Sequence, residues 1–334
     1  MKAVFMPYKA SMWDALESVW MAYKNDPLWE TAVVPIPYYD RNPDGSFGLL
    51  HDEGELFPKY VPIAAYQAYD LEKERPDVIY IHNPYDGLNL VTSVHPDYYS
   101  DKLKKFTDKL IYIPYFVHER PDPESDAFRE KIHQFSHLPA VFHADETIVQ
   151  SETIRRCYID SLVSTDGEAS REKWESKIKN GGSPKLQKAA RLRELHYEYP
   201  DEWLSKIYRK DGTKKKVYFF NTTIAALLQQ DEAMLNAIKA VIELFVKYQE
   251  TAVLLWRPHP LLEATIHAMR PHLAEGYKKL VREYIEGDIG IYDDSPDMYQ
   301  ALSLSDVYFG DPSSVAEICK AAEIPVIIRN AARK

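Results

Sequence analysis

The sequence predicts an α/β protein of two domains, each built on a parallel sheet, and three observations carry that reading. Short apolar runs alternate with longer segments of helical period along most of the chain, which is the signature of βα units. The runs fall into two sets, separated by a polar stretch rich in Lys and Glu at about residues 158 to 210. At 334 residues and 45% apolar composition, the chain suits two cores of ordinary size better than one.

The first set of strand candidates is KAVFMPY (2–8), either AVVPIP (32–37) or YVPI (60–63), DVIYIHN (77–83), KLIYIPYFV (109–117) and ETIVQS (146–151). Ser11, before MWDALESVW, reads as a helix N-cap with Trp13 and Leu16 on the buried face. The polar stretch reads as helices on either side of a Gly-Gly-Ser-Pro turn within KIKNGGSPKLQ (177–187). KDGTKKK (210–216) is the best linker, so the boundary is expected near residue 212, giving Rossmann-like domains at 1–211 and 212–334. The second set is KVYFFN (216–221), AVLLWRP (252–258), IGIYDD (289–294), DVYFGD (306–311) and PVIIRN (325–330).

Several classes are disfavoured. No apolar run approaches the roughly 18 residues of a membrane span, and the N-terminal apolar stretch is too short for a signal peptide, so a cytoplasmic location is expected. Cys157 and Cys319 are the only cysteines and form no metal-ligand pattern, which leaves neither a disulfide framework nor a structural zinc. The net charge of −10 argues against nucleic acid as a partner. Neither GxGxxG after the first strand nor a Walker A sequence occurs.

In an open parallel sheet the ligand sits beyond the carboxyl ends of the strands, so the residues after each apolar run matter most. After KVYFF stand Asn221, Thr222 and Thr223 at a helix start, where they suit either an N-cap or an anion. After AVLLW stand Arg257, Pro258, His259 and Pro260, two rigid prolines framing a guanidinium and an imidazole. That pair suits phosphate, and His259 can also move a proton. After IGIY comes Asp293-Asp294-Ser295-Pro296-Asp297, whose acids read as caps and turn formers. After DVYF, Gly310-Asp311-Pro312 leads to Ser313 and Ser314 at a helix start, with Glu317 one turn further in. Unpaired N–H groups and the positive dipole end favour an anion there. In the first domain the loops MPYKASMWD, PIPYYDRNPDGSFG, HNPYDGLN and PYFVHERP are rich in Tyr and Pro, which suits either a polyol or sugar ligand or a packed rim.

WRPHP (256–260) followed by DVYFGDPSSVAE (306–317) resembles the C-terminal half of the CDP-glycerol glycerophosphotransferases of teichoic acid synthesis, which have the GT-B glycosyltransferase fold. The resemblance covers about residues 215 to 330 and extends faintly to HADETIVQSE (143–152) and GGSPKL (181–186). It implies two Rossmann-like domains facing a cleft, with Arg257 and His259 on phosphate, Ser313 and Ser314 on the pyrophosphate, and Glu317 near the ribose. It further implies a CDP-glycerol or related nucleotide-diphosphate donor in the second domain and a polyol-phosphate or glycan acceptor in the first. A lipid-linked acceptor would bring the protein to the inner face of the cell membrane.

Two departures qualify the resemblance. The family's His-Gly pair after a central N-terminal strand is absent, since that strand end reads IPYFVHERPD (113–122), which leaves His118, His82 and His259 as candidate general bases. The family pattern also continues beyond PVIIRN through helices that return to the first domain. In the expected reaction Arg257, His259 and two helix starts neutralise the departing nucleotide, and with no Asp-x-Asp at a strand end the chemistry is expected to need neither metal nor cofactor. Two other readings stay open: a GT-B glycosyltransferase with another nucleotide-sugar donor, and a degenerate nucleotide-binding relative.

Overall fold

A computed structural model describes residues 1–122 and 124–329, so Asn330 of the PVIIRN segment and residues 331–334 lie outside the described residues. The chain divides into two compact units, Met1–Arg41 with Gly45–Lys188, and Asn42–Asp44 with Ala189–Lys334.

The strands of the first unit are β1 (Lys2–Met6), β2 (Glu30–Val33), β3 (Tyr38–Arg41), β4 (Phe47–His51), β5 (Val78–Ile81), β6 (Thr92–Val94), β7 (Lys109–Tyr112), β8 (Glu146–Val149) and β9 (Ile178–Asn180). Six of them form a parallel sheet in the order β2-β1-β5-β7-β8-β9. β1 and β5 are nearly continuous apolar runs because helices cover both faces of the sheet. Val4, Ile79, Leu110 and Trp174 build the core on one side, and Phe5, Trp13, Trp20 and Tyr80 on the other.

The structure settles the ambiguous second strand in favour of AVVPIP. Val33 ends β2, while Ile63 of YVPI makes only an isolated parallel bridge to it. Ser11 is not a cap. It lies inside a 3-10 turn, Ala10–Ala15, whose first N–H, that of Ala10, is held by the Glu53 carboxylate at 2.8 Å. A distant acid has replaced the local hydroxyl, while Trp13 and Leu16 are buried as expected.

Two elements went unanticipated. β3, β4 and β6 form a small antiparallel sheet in the order β4-β3-β6, with Gly45 in the left-handed region at φ 81° in the turn between β3 and β4. β9 is the edge strand of the main sheet, and its Lys and Asn gave no apolar run.

The second unit contains β10 (Lys216–Thr222), β11 (Ala252–Pro258), β12 (Ile291–Tyr292), β13 (Val307–Gly310) and β14 (Val326–Ile328). All pairings are parallel and the order is β12-β11-β10-β13-β14. Every strand expected from the second set is present. Phe220, Leu254, Trp256, Ile238 and Tyr284 form a core under the helix Glu232–Lys247.

Both main sheets begin in their interior. In the first, β1 is followed outward by β2 and the chain then returns to the other side through β5. In the second, β10 is followed by β11 and β12, and the chain then crosses to β13. Strand order therefore reverses between β1 and β5 and between β10 and β13. At such points the connecting helices diverge to opposite faces and open a crevice at the carboxyl ends.

Candidate functional site

The crevice of the second unit lies where β10 and β13 end side by side, Asn221 pairing in register with Gly310. A Cβ at Gly310 would stand 2.5 Å from the Asn221 carbonyl oxygen, so only glycine lets the two strand ends approach this closely. Beyond Gly310, Ser313 caps the helix Ser314–Ala321: its hydroxyl accepts from Ala316 N–H at 3.3 Å and also lies 3.1 Å from the Tyr308 hydroxyl. Ser313 donates in turn to Asn221 Oδ1 at 3.4 Å, and Asn221 Nδ2 donates to the Arg257 carbonyl at 3.0 Å. Asn221, Arg257 and Ser313 are thereby tied across three adjacent strand ends. Ser314 is the first helical residue and is half-buried beside Ser313.

Asp311 organises the same crevice. It is buried, and its Oδ2 accepts from both Thr223 N–H (3.1 Å) and the Thr223 hydroxyl (3.2 Å). Its Oδ1 accepts from Arg329 Nη2 at 2.8 Å, just past the end of β14. Thr223 itself caps the helix Ile224–Gln230 by accepting from Ala226 N–H, and the Thr222 hydroxyl accepts from the Trp256 indole N–H at 3.2 Å, so both threonines have structural partners.

Arg257 stands beside β10 at the end of β11, yet its guanidinium is already committed. It pairs with buried Asp293 and donates to the Ser295 carbonyl at 2.7 Å. His259 is half-exposed; its N–H donates to the Thr222 carbonyl and its Nδ1 accepts from Leu261 N–H at 3.1 Å. That fixes the tautomer, with the proton on Nε2 in the neutral ring. Glu317 pairs with Lys320 at 2.6 Å on the helix surface. Asp297 is a helix cap holding Tyr299 N–H, and Asp306 holds Val217 N–H and Lys214 Nζ.

In the first unit the corresponding strand ends, those of β1 and β5, carry a cluster of rings in which Tyr8 packs against Tyr38, His82 and Tyr115. His82 is fully buried there; its Nε2 accepts from Tyr8 N–H at 3.0 Å and its Nδ1 donates to the Met12 carbonyl at 3.1 Å. Burial pulls its pKa down to about 3, so the ring is neutral. Its lone pair is occupied. His82, expected as a candidate base, instead ties the loop after β1 to the end of β5. His118 is likewise buried, with Nε2 2.9 Å from the Tyr158 hydroxyl, packed among Phe116, Phe135 and Tyr158, and lowered to about 3 by the same desolvation. Gln150 and Ser183, from the two segments that carried the fainter resemblance, line a small cleft with His118.

Sequence reasoning passed over Asp311, Arg329, Asp293 and Ser295, which the structure places in the hydrogen-bond network of these strand ends. All four follow an apolar run at a strand's carboxyl end, so the positional rule that selected Arg257 and Ser313 reaches them too.

No family model matches the chain, and no curated protein matches it. Solved structures do. S. aureus MnaA in a co-structure with UDP is 12% identical at a TM-score of 0.54, the match covering 98% of this chain and 79% of that one. A putative UDP-N-acetylglucosamine 2-epimerase from Listeria monocytogenes is 14% identical at 0.54, over 98% and 78%. The Methanocaldococcus jannaschii UDP-GlcNAc 2-epimerase in complex with UDP-GlcNAc and UDP is 11% identical at 0.54, over 98% and 83%. At these identities the likeness establishes the fold, a GT-B-like pair of Rossmann-type units with parallel sheets.

Proposed function

We propose that the second unit binds a nucleotide-diphosphate donor in the crevice between β10 and β13, and that the chain is a transferase moving the group that donor carries to a hydroxyl acceptor. One observation carries the reading: the strand-order reversal coincides with a Ser-capped helix N-terminus, a glycine that admits close backbone approach, and a half-exposed histidine on the neighbouring strand end. Ser313, Ser314 and the first-turn N–H groups face the diphosphate, with His259 beside it. Glu317 serves the ribose once it leaves Lys320.

With CDP-glycerol, the acceptor oxygen bonds to the phosphorus bearing glycerol, the bridging P–O bond breaks, CMP leaves, and the acceptor proton passes to a base. His259 fits that base if its ring nitrogens exchange roles on donor binding. The Tyr- and Pro-rich loops of the first unit present the surface for a polyol-phosphate or glycan acceptor.

A second reading has an observation of its own. Two of the structures matched above contain UDP, and one of these also contains UDP-GlcNAc, which favours a uridine donor carrying a sugar.

Thermal-shift and calorimetric titration with CMP, CDP-glycerol, UDP and UDP-GlcNAc tests both. Stabilisation by CDP-glycerol and CMP supports glycerol phosphate transfer. Stabilisation by UDP or UDP-GlcNAc, with none by CMP or CDP-glycerol, supports the sugar-nucleotide reading, and no response to any of the four overturns the site.

A further inference from the structure

Two arginines stand at the carboxyl edge of the second sheet, and they differ in what they have left to offer. Arg257 donates from Nη1 to Asp293 and Ser295 Oγ and from Nη2 to the Ser295 carbonyl, so its fork is spent on the loop after β12. Among the described residues, Arg329 makes one side-chain hydrogen bond, Nη2 to Asp311 Oδ1. Its Nε is buried and has no hydrogen-bond partner among the described residues. A buried donor on a charged group, left unpaired, carries its full desolvation penalty and calls for an explanation.

Position supplies one. The Arg329 N–H donates to the Gly310 carbonyl at 2.7 Å, which fixes its backbone against the turn leading to Ser313. Asp311 then holds the guanidinium with one oxygen and the loop after β10, through Thr223, with the other. The side chain is thus anchored at the β10–β13 crevice with part of its fork open. A guanidinium oriented by a carboxylate and keeping a spare N–H is suited to a phosphate oxygen.

We infer that Arg329, not Arg257, is the arginine that contacts the phosphates of the bound nucleotide, and that Asp311 is a positioning residue that aims it. This rests on the reading of the crevice as a nucleotide-diphosphate site. Arg257 keeps the β11 and β12 ends together and contributes to binding only through the loops it holds. The phosphate next to the leaving group is the one Arg329 reaches, so its contribution is larger for a nucleoside diphosphate than for the nucleoside.

Calorimetric titration of the full chain with UDP, CDP, uridine and cytidine tests this, using wild type, Arg329→Gln and Arg329→Lys, with the melting temperature of each recorded. Gln can still donate to Asp311 without a charge, and Lys restores the charge without the fork. The expected result is at least tenfold weaker binding of the preferred diphosphate by Arg329→Gln, partial recovery in Arg329→Lys, and no change in the weak binding of the nucleoside. If wild type binds neither diphosphate, the reading of the crevice fails. If wild type binds one and Arg329→Gln binds it within twofold, the crevice stands and this inference falls. Equal affinity losses in both variants, tracking equal losses of melting temperature, would leave Arg329 only as the partner of Asp311 and overturn it as well.

Discussion

Arg257 and Asp293 form an ion pair closed to solvent, their side chains 6% and 0% exposed. Asp293 also accepts from Ser295 N–H at 3.0 Å, and Arg257 donates to the Ser295 carbonyl, so one guanidinium and one carboxylate together hold the loop after β12 against the end of β11. Removing either partner strands a buried charge, which costs about 3 to 5 kcal/mol. Arg257→Met and Asp293→Leu should each lower the urea midpoint strongly, while the double replacement should lose less than the two singles together. A single variant within about 1 kcal/mol of wild type, the scale of an exposed pair, would show that the pair is not closed in solution.

The fold of the second unit was legible because its three interior strands, β11, β10 and β13, are long or well-buried runs and its two edge strands, β12 and β14, still carry apolar residues. Parallel strands buried on both faces become unbroken apolar runs, as in KVYFFN and AVLLW, and the punctuation after each run marks the site. The first unit was harder. β9 is an edge strand carrying Lys179 and Asn180, and the β3–β4 hairpin lies in a segment whose prolines and tyrosines drew attention as a possible ligand rim, although Pro-Asp-Gly at 43–45 is itself a turn signature. Candidate site residues could be chosen by position in the chain, but their commitments were not visible there. That Arg257 faces Asp293, and that the lone pair of His82 is taken by Tyr8 N–H, depends on contacts between residues far apart in sequence.

His82 and His118 make stability fall with acid. Both are neutral in the fold, with pKa values near 3 against the usual 6.5, because burial disfavours the charged ring. Between those values the unfolded chain binds protons that the folded chain does not, so stability is fully present above about pH 6.5 and is lost as pH falls through the unfolded value. Each histidine contributes a slope of up to about 1.4 kcal/mol per pH unit within that window. His118→Gln, which can keep a hydrogen bond to Tyr158, should flatten the dependence between pH 6.5 and 5 by about one such slope. Parallel curves for the two proteins, from chemical unfolding at several pH values, would mean that His118 protonates freely in the folded state.

His259→Ala separates a ligand role from a structural one. The ring is half-exposed, and one of its bonds is from Leu261 N–H to Nδ1, a neutral bond whose loss should itself cost about 0.5 to 1.5 kcal/mol of stability. A charge-assisted contact to phosphate is worth about 1.5 to 3 kcal/mol, so donor affinity or turnover should fall at least about tenfold. Activity within about threefold of wild type, on the same scale, would assign the residue to the turn alone.

Ser313 and Ser314 divide the duties of the helix start, and their substitutions should divide as well. Ser313 is the cap, so Ser313→Ala should cost about 1 kcal/mol of stability through the lost bond to Ala316 N–H. Ser314 is the first residue inside the helix, where an acidic side chain suits the dipole. Ser314→Asp should therefore leave the melting temperature unchanged or slightly raised, offset only by its neighbour Glu317, which is already paired with Lys320. The same carboxylate would stand where the donor's phosphates must sit, and nucleotide binding should drop at least about tenfold, more than in Ser314→Ala, which loses only one hydroxyl. The two effects have opposite signs in one variant, so a general loss of structure cannot imitate them. Melting temperature and affinity for the preferred nucleotide, measured on one preparation, decide the matter: a stable Ser314→Asp protein that still binds with wild-type affinity would show that this helix start holds no anion.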